Sequence, residues 1–443
     1  MRINTSYSTI WQISFPIILG MVTQNVMNVI DTAFLGRLNE VALGAGAIGG
    51  LYYITILMLG IGFGSGVQII IGRRNGEKKF NNIGTLIDHS IYALIAMALI
   101  LFLFLKFITP TVLAYFIKSP SIDKASIEFL NYRSYGIFFA FINVIFSSFY
   151  IGIASTKIMS VSTGLMAFIN IILDYALIFG NWGFPQMGIG GAALASVIAE
   201  GSASLFFIIY TFARIDIKKY SLFKISKFQP VILKNILSIS APLMIQSFVS
   251  LGSWFLFFMF IEQLGEHALA VSNIVRSIYM VLMIPIWGFS SATNTLVSNI
   301  IGQGKYLKVI PLIKKTTLIS TICTYPFIII TFLFSRKIIS IYTSNPILIN
   351  DSISVLYIVL LAMLLFSITM IMFSGVSGSG NTRTSLGIES FTIFVYLMSV
   401  YLSSVVFKLK VEFVWISELV YFFIMGLLSY LYLRSGKWKL KKL

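Results

Sequence analysis

The sequence predicts an all-α integral membrane protein: twelve transmembrane helices in two six-helix lobes, related by a pseudo-two-fold axis along the membrane normal. Three observations predict it. Of 443 residues, 58% are hydrophobic and 11% charged, whereas a soluble globular protein carries about a quarter charged residues. The apolar residues fall into twelve runs long enough to cross a bilayer. The second half of the chain also repeats the first at a constant offset.

A helix needs about 20 mostly apolar residues to cross the hydrocarbon core. Such runs lie at roughly 8–36, 43–72, 84–107, 129–153, 158–180, 188–213, 235–261, 268–300, 316–334, 352–377, 384–407 and 412–433. The first contains Pro16 and a single charge, Asp31. It follows Arg2 without a small-residue cleavage site, so it reads as a retained helix and not a signal peptide. The second ends in Arg73, Arg74, Lys78 and Lys79. The fifth holds Asn170 and Asp174, and the sixth Ser196 and Glu200. A basic connector from Arg214 to Lys234 precedes the seventh, which has no acid between 245 and 260. The eighth holds Arg276, the ninth the single cysteine Cys323, the eleventh Glu389 and the twelfth Glu418. One cysteine allows neither an intramolecular disulfide nor a multi-cysteine metal site.

The net charge of +17 lies in short connectors and not on one basic face. Membrane topology accounts for it, and no nucleic-acid partner is expected. With the N-terminus in the cytoplasm, Lys and Arg on that side outnumber those outside by more than two to one. The positive-inside bias therefore expects both termini in the cytoplasm, in a plasma (inner) membrane.

The repeat is read from ISFPIILG, starting at Ile13, against ISAPLMIQ, starting at Ile239. Pro16 and Pro242 differ by 226, as do Tyr53 and Tyr279, Gly62 and Gly288, Gly76 and Gly302, and Thr156 and Thr382. Six spans per repeat is an even number, so the two halves insert in the same orientation. The expected domains are an N-lobe at 1–215, a cytoplasmic basic linker at 216–233 and a C-lobe at 234–443. Substrate is expected between the lobes, near mid-membrane.

Ionisable side chains inside a bilayer are costly and by default functional. Asp31, Asp174 and Ser196 lie at similar depth in the outer half when counted at about 1.5 Å per residue. Asn170 and Asp174, four apart, share a helix face. Two carboxylates, an amide and a hydroxyl supply hard oxygen ligands for a small cation, and two close carboxyls can equally hold a proton. The competing reading is that both acids bond neighbouring helices or end their own. Pro16 permits a bend about four turns from Asp31. At the 226 offset Asp31 meets Phe257 and Asp174 meets Val400, so the second repeat does not copy the cluster. Arg276 and Glu418 share a depth and are expected to form a structural ion pair. Glu389 is expected near the inner face, where it is solvated. Glu200 is deeper, either lining a cavity or tied to another helix.

FPIILGMVTQNVMNVIDTAFLGRL, INIILDYALIFG, GIGGAALASVIAE and SGSGNTRTS together resemble the multidrug and toxic compound extrusion (MATE) family over essentially the whole chain. The resemblance implies two six-helix lobes and export of cationic or amphiphilic organic compounds in exchange for H+ or Na+. It maps a cation-coupling site onto Asp31, Asn170 and Asp174. Ser196 stands where the family often has threonine, and Pro16 matches a proline linked to bending of the first helix. The acid-free stretch at 245–260 places the chain closest to the branch typified by DNA-damage-inducible and archaeal members, with coupling confined to the N-lobe.

Alternating access then requires the driving ion to bind the two states unequally. Gln24, Met27, Asn28 and Gln246 are candidates for lining the substrate cavity. No cofactor is expected beyond the coupling ion, with a slight lean to H+, and no metal beyond Na+ at that site. A monomer in the lipid bilayer, acting on small organic compounds, is expected. The nearest alternative is a lipid-linked oligosaccharide flippase of the wider superfamily, which calls for a cationic cavity. An enzyme is disfavoured: His89 and His267 sit at span edges, and no nucleophile or metal motif appears.

Overall fold

The computed structural model describes residues 4–441, and every regular element among them is helical. Twelve helices are long and apolar enough to cross a membrane: α1 Tyr7–Leu38, α2 Glu40–Gly76, α3 Asn81–Phe116, α4 Pro120–Gly152, α5 Lys157–Phe179, α6 Gly188–Arg214, α7 Pro230–Glu262, α8 Glu266–Gly302, α9 Tyr306–Leu333, α10 Pro346–Gly378, α11 Thr382–Val406 and α12 Val411–Ser435. All twelve expected spans are present. Several helices outrun their apolar stretches, because hydropathy registers only the hydrocarbon core while a helix continues into the polar interface. α4 is the important case. It starts at Pro120, where a proline costs no helical hydrogen bond, and it carries the polar run PSIDKASIE ahead of its apolar part.

The repeat is visible in the elements. α2 and α8 run Glu40–Gly76 and Glu266–Gly302, and α4 and α10 run Pro120–Gly152 and Pro346–Gly378. Each pair is displaced by 226 at both ends. Packing repeats too: α2 lies against α4 and α4 against α6, as α8 lies against α10 and α10 against α12.

The chain packs as two compact units. One is Leu19–Met244; the other comprises the residues up to Ile18 together with those from Ile245 onward. The sequence divides the chain at the basic linker, whereas the units divide it inside α1 and α7. These dividing points, 18/19 and 244/245, are again 226 apart, and each falls two residues after a proline, Pro16 or Pro242. Two repeated glycines explain part of this. A Cβ on Gly62 would meet the Met244 backbone at 2.6 Å, and one on Gly288 would meet the Ile18 side chain at 2.3 Å. Glycine thus lets α2 take the first half of α7 within one unit, and lets α8 take the start of α1 within the other.

The linker belongs to the first unit and is fastened to α3. Asp88 accepts from the Ser226 backbone N–H and hydroxyl, both at 2.8 Å. The Gln229 N–H donates to His89 Nε2 at 2.8 Å, and Tyr92 donates to the Ser226 carbonyl at 2.9 Å. His89 is thereby fully used as a packing residue.

Candidate functional site

In the first unit α1 meets α5 near both ends of its stretch there. A Cβ on Gly20 would lie 3.3 Å from the Thr163 hydroxyl, and Phe34 meets Phe179 edge-on with ring centroids 5.8 Å apart. Between these contacts Asp31 and Asp174 face each other, close enough for each carboxyl to act on the other. Asn170 lies one turn from Asp174 on the same face, and both are fully buried. α6 approaches α5 closely at Gly191, where a Cβ would meet the Leu177 backbone at 2.6 Å. This brings Ser196 to 3.5 Å from the Asn170 amide nitrogen, a weak contact. Ser196 and Asn170 are therefore neighbours, beside the facing Asp31 and Asp174.

Their oxygens are the notable feature. Asp31 Oδ1, Asn170 Oδ1 and both carboxyl oxygens of Asp174 are buried without a hydrogen-bond partner among the described residues. Most buried polar atoms in folded proteins are paired, and leaving one unpaired costs about 1–3 kcal/mol. Two facing carboxylates add mutual repulsion. A proton or small cation between them relieves both costs. The described residues include no group of three or more acids, histidines or cysteines suited to a metal. A bound cation would therefore rely on the neutral oxygens of Asn170 and Ser196 as well.

Beside this cluster lies a residue that sequence reasoning missed. Arg133 of α4 grips Glu200 of α6 with two bonds, Nη1 to Oε2 at 2.7 Å and Nη2 to Oε1 at 2.6 Å. Its guanidinium carbon lies 4.2 Å from the centre of the Tyr53 ring on α2, and its charge acts on both Asp31 and Asp174. An apolar run starting at 129 puts Arg133 at a span edge, but a helix starting at Pro120 puts it well inside. The usable signal was Glu200, an acid deep in a span and without a partner on its own helix. Glu200 is thus tied to another helix.

Two expectations in the second half, and one in the first, need correction. Arg276 and Glu418 do not pair: Arg276 is exposed, its guanidinium 4.8 Å from the centre of the Phe258 ring. Glu418 instead accepts from Tyr279 at 3.1 Å and Tyr396 at 2.9 Å. Val275 and Tyr279 form the buried stripe of α8, and Arg276, about 100° round the helix from Val275, points elsewhere. Glu389 is not solvated; it is buried and accepts from Ser250 and Tyr421, each at 2.7 Å. Its polar neighbours come from α7 and α12, which depth along α11 does not reveal. Met27, a candidate cavity residue, is 7% exposed and packs inside its unit. Asn28 is exposed and Gln24 half-buried, with a long 3.4 Å contact between them, and Gln246 accepts from Ser385 at 3.3 Å. Pro16 is buried within a continuous α1.

Twelve spanning helices in two repeats, with a cluster of buried, unpartnered oxygens inside one of them, are the architecture of a polytopic membrane transporter. The chain belongs to the MatE family, whose model matches residues 16–176 and 242–402. Those two matches are themselves displaced by 226 at both ends. The chain is similar to the "Probable multidrug resistance protein NorM" of Thermotoga maritima, with 27% identity over 97% of this chain and 92% of that protein. It is also similar to the "Probable multidrug resistance protein YoeA" of Bacillus subtilis, with 23% identity over 97% of this chain and 93% of that one. Two solved structures share the fold. A multidrug resistance MATE family transporter in an outward-facing conformation has a TM-score of 0.87 at 21% identity, covering 97% of this chain and 95% of that one. A MOP superfamily transporter from Pyrococcus furiosus has a TM-score of 0.88 at 20% identity, with the same coverage. Members of the family are ion-coupled membrane transporters, not enzymes.

Proposed function

We propose that this protein is a secondary active antiporter exporting cationic or amphiphilic organic compounds in exchange for H+ or Na+ by alternating access. Asp31, Asn170, Asp174 and Ser196 form its coupling site. The observation that carries this reading is the set of buried, unpartnered oxygens around the facing carboxyls of Asp31 and Asp174. The driving ion enters from outside and neutralises the pair, and drug release follows because the neutral and charged sites stabilise different conformations. Pro16 withdraws one N–H from the α1 ladder two residues before the chain passes from one compact unit into the other. That position makes it the hinge through which the state of Asp31 biases α1. Gln24 and Asn28 on the same helix, and Gln246 on α7, are the proposed substrate contacts. The positive-inside bias supports cytoplasmic termini and an inner-membrane location. The protein works as a monomer, and the simplest driving ion is the proton, since two facing carboxyls suffice for it.

The test is efflux of an ethidium-type cation from proteoliposomes under an imposed pH or sodium gradient, wild type against Asp31→Asn. Gradient-driven efflux in wild type and none in the folded variant is the expected result, and it identifies the ion. Full coupling in Asp31→Asn would make the cluster structural. No efflux under either gradient would favour the flippase reading instead.

A further inference from the structure

The proposed coupling chemistry does not use Arg133 or Glu200, although a buried ion pair is expensive to maintain. The charged and titratable groups facing the site come from five helices: Asp31 on α1, Tyr53 on α2, Arg133 on α4, Asp174 on α5 and Glu200 on α6. An arginine meant to neutralise the aspartates would bond to them. Here both terminal nitrogens of Arg133 are spent on Glu200, and the guanidinium face is laid on Tyr53. Gly136 makes room for this arrangement. A Cβ there would come within 2.6 Å of Arg133 Nη1 and of Glu200 Oε2, and within 3.2 Å of the Tyr53 hydroxyl. Glu200 is anchored in turn, its backbone carbonyl accepting from Asn143 at 3.0 Å and Ser204 at 3.1 Å. Glu200 lies one turn from Ser196 on α6, and Ser196 touches Asn170, so the clamped guanidinium sits beside the cluster while its terminal nitrogens are held on Glu200.

We propose that Arg133 and Glu200 form a clamped counter-charge that sets the affinity of the Asp31–Asp174 site for its driving ion. Both are positioning residues. The inference rests on the reading of Asp31 and Asp174 as the coupling pair. Its physics is a balance of two opposite charges at short range in a poorly screened interior. Arg133 favours the ionised aspartates and so opposes binding of a proton or sodium; Glu200 partly cancels it. Removing the Glu200 charge unmasks the arginine and frees it to bridge the aspartates. Removing the Arg133 charge leaves a third carboxylate, which strengthens binding of any cation. Removing both returns the local charge to its starting balance.

The experiment measures the concentration of the driving ion that half-saturates efflux in proteoliposomes, whichever ion drives wild type. An opposite charge within about 4–6 Å of a carboxyl shifts its affinity by about one to three pH units. Glu200→Gln is therefore expected to raise the half-saturating concentration about tenfold or more, and Arg133→Gln to lower it by a similar factor. The double variant is expected to return to within about threefold of wild type, since its net local charge is restored. Opposite single shifts that cancel in the double are a signature no purely structural role produces. Shifts of the same sign, or a double variant no better than Glu200→Gln, would overturn the proposal. Should Arg133→Gln not fold, Glu200→Asp replaces it. Keeping the charge should leave half-saturation near the wild-type value while Glu200→Gln raises it, and equal effects of the two would sink the idea. Asp31→Asn, measured alongside, separates the two failures. Lost coupling there with no opposed shifts in the pair variants overturns this proposal alone, whereas retained coupling overturns the underlying reading.

Discussion

The two repeats treat the same positions in opposite ways. At the 226 offset Asp31, Arg133, Asn170 and Asp174 correspond to Phe257, Val359, Tyr396 and Val400, all buried in the core of the second unit. Phe257 stacks on Tyr396 at 5.8 Å and meets Trp415 edge-on at 4.9 Å, filling the space that carboxyls occupy in the first repeat. Tyr53 and Tyr279 correspond, and both are buried beside a glutamate, but only Tyr279 bonds to its own, Glu418. The second repeat does keep acids, yet each has side-chain donors. Glu418 has a phenol on either oxygen, and Glu389 has a serine and a tyrosine on Oε1, its Oε2 being buried without a partner among the described residues. A carboxyl with protein donors is a fixed knot in the core, while facing carboxyls without donors need something from outside. On the proposed reading, the repeat separates one fold into a half that packs and a half that responds.

The largest effect that would break this contrast is at Phe257. Phe257→Ala should cost about 3–5 kcal/mol of stability, the usual range for truncating a buried aromatic, and should lower the unfolding temperature of detergent-solubilised protein. Folded protein reconstituted from the same variant should keep its half-saturating ion concentration. Its repeat mate should behave the other way, with Asp31→Asn keeping the unfolding temperature and losing coupling. If Phe257→Ala altered ion dependence as strongly as stability, the second repeat could not be called a packing half.

One step smaller is Tyr396→Phe, which deletes one of the two hydroxyls serving Glu418. A buried acceptor that loses a donor costs about 1–3 kcal/mol, so a moderate loss of thermal stability is expected. Efflux driven by the imposed gradient should be unchanged. A change in ion dependence would mean that Glu418 takes part in coupling and that the second repeat carries a responsive site of its own.

What could be read from the sequence follows the same division. Span number and repeat register were legible because hydropathy and a constant offset are one-dimensional signals, and α2 and α8 carry the register to both their ends. Asp31, Asn170, Asp174 and Ser196 could be grouped because depth and an i, i+4 face place side chains when helices are roughly parallel. Arg276 and Glu418 satisfied the same depth argument and still do not meet, because depth says nothing about which way around the helix a side chain points. Arg133 escaped because a helix can begin in polar sequence, so its position within α4 was misjudged by about two turns. Glu389 was read as solvated for a related reason: its hydroxyl partners come from α7 and α12, far away in sequence.

The smallest expected effect is the most discriminating for the ion itself. Ser196 contributes one neutral oxygen at the edge of the cluster, held only by a 3.5 Å contact to Asn170. A proton shared between the carboxyls of Asp31 and Asp174 needs no further ligand, so Ser196→Ala should leave a proton-driven carrier almost unchanged. Sodium keeps a shell of several hard oxygens, and the cluster has few neutral ones to offer. Losing one partner of that kind is worth roughly 1 kcal/mol, or about fivefold in affinity. A sodium-driven carrier should therefore show its half-saturating sodium concentration raised by about that factor in Ser196→Ala, with maximal efflux retained. The outcome also bears on the contrast between the repeats. A sodium response at Ser196 would extend the responsive cluster from the facing carboxyls of α1 and α5 to α6. No response would confine it to two acids whose counterparts in the second repeat are a phenylalanine and a valine.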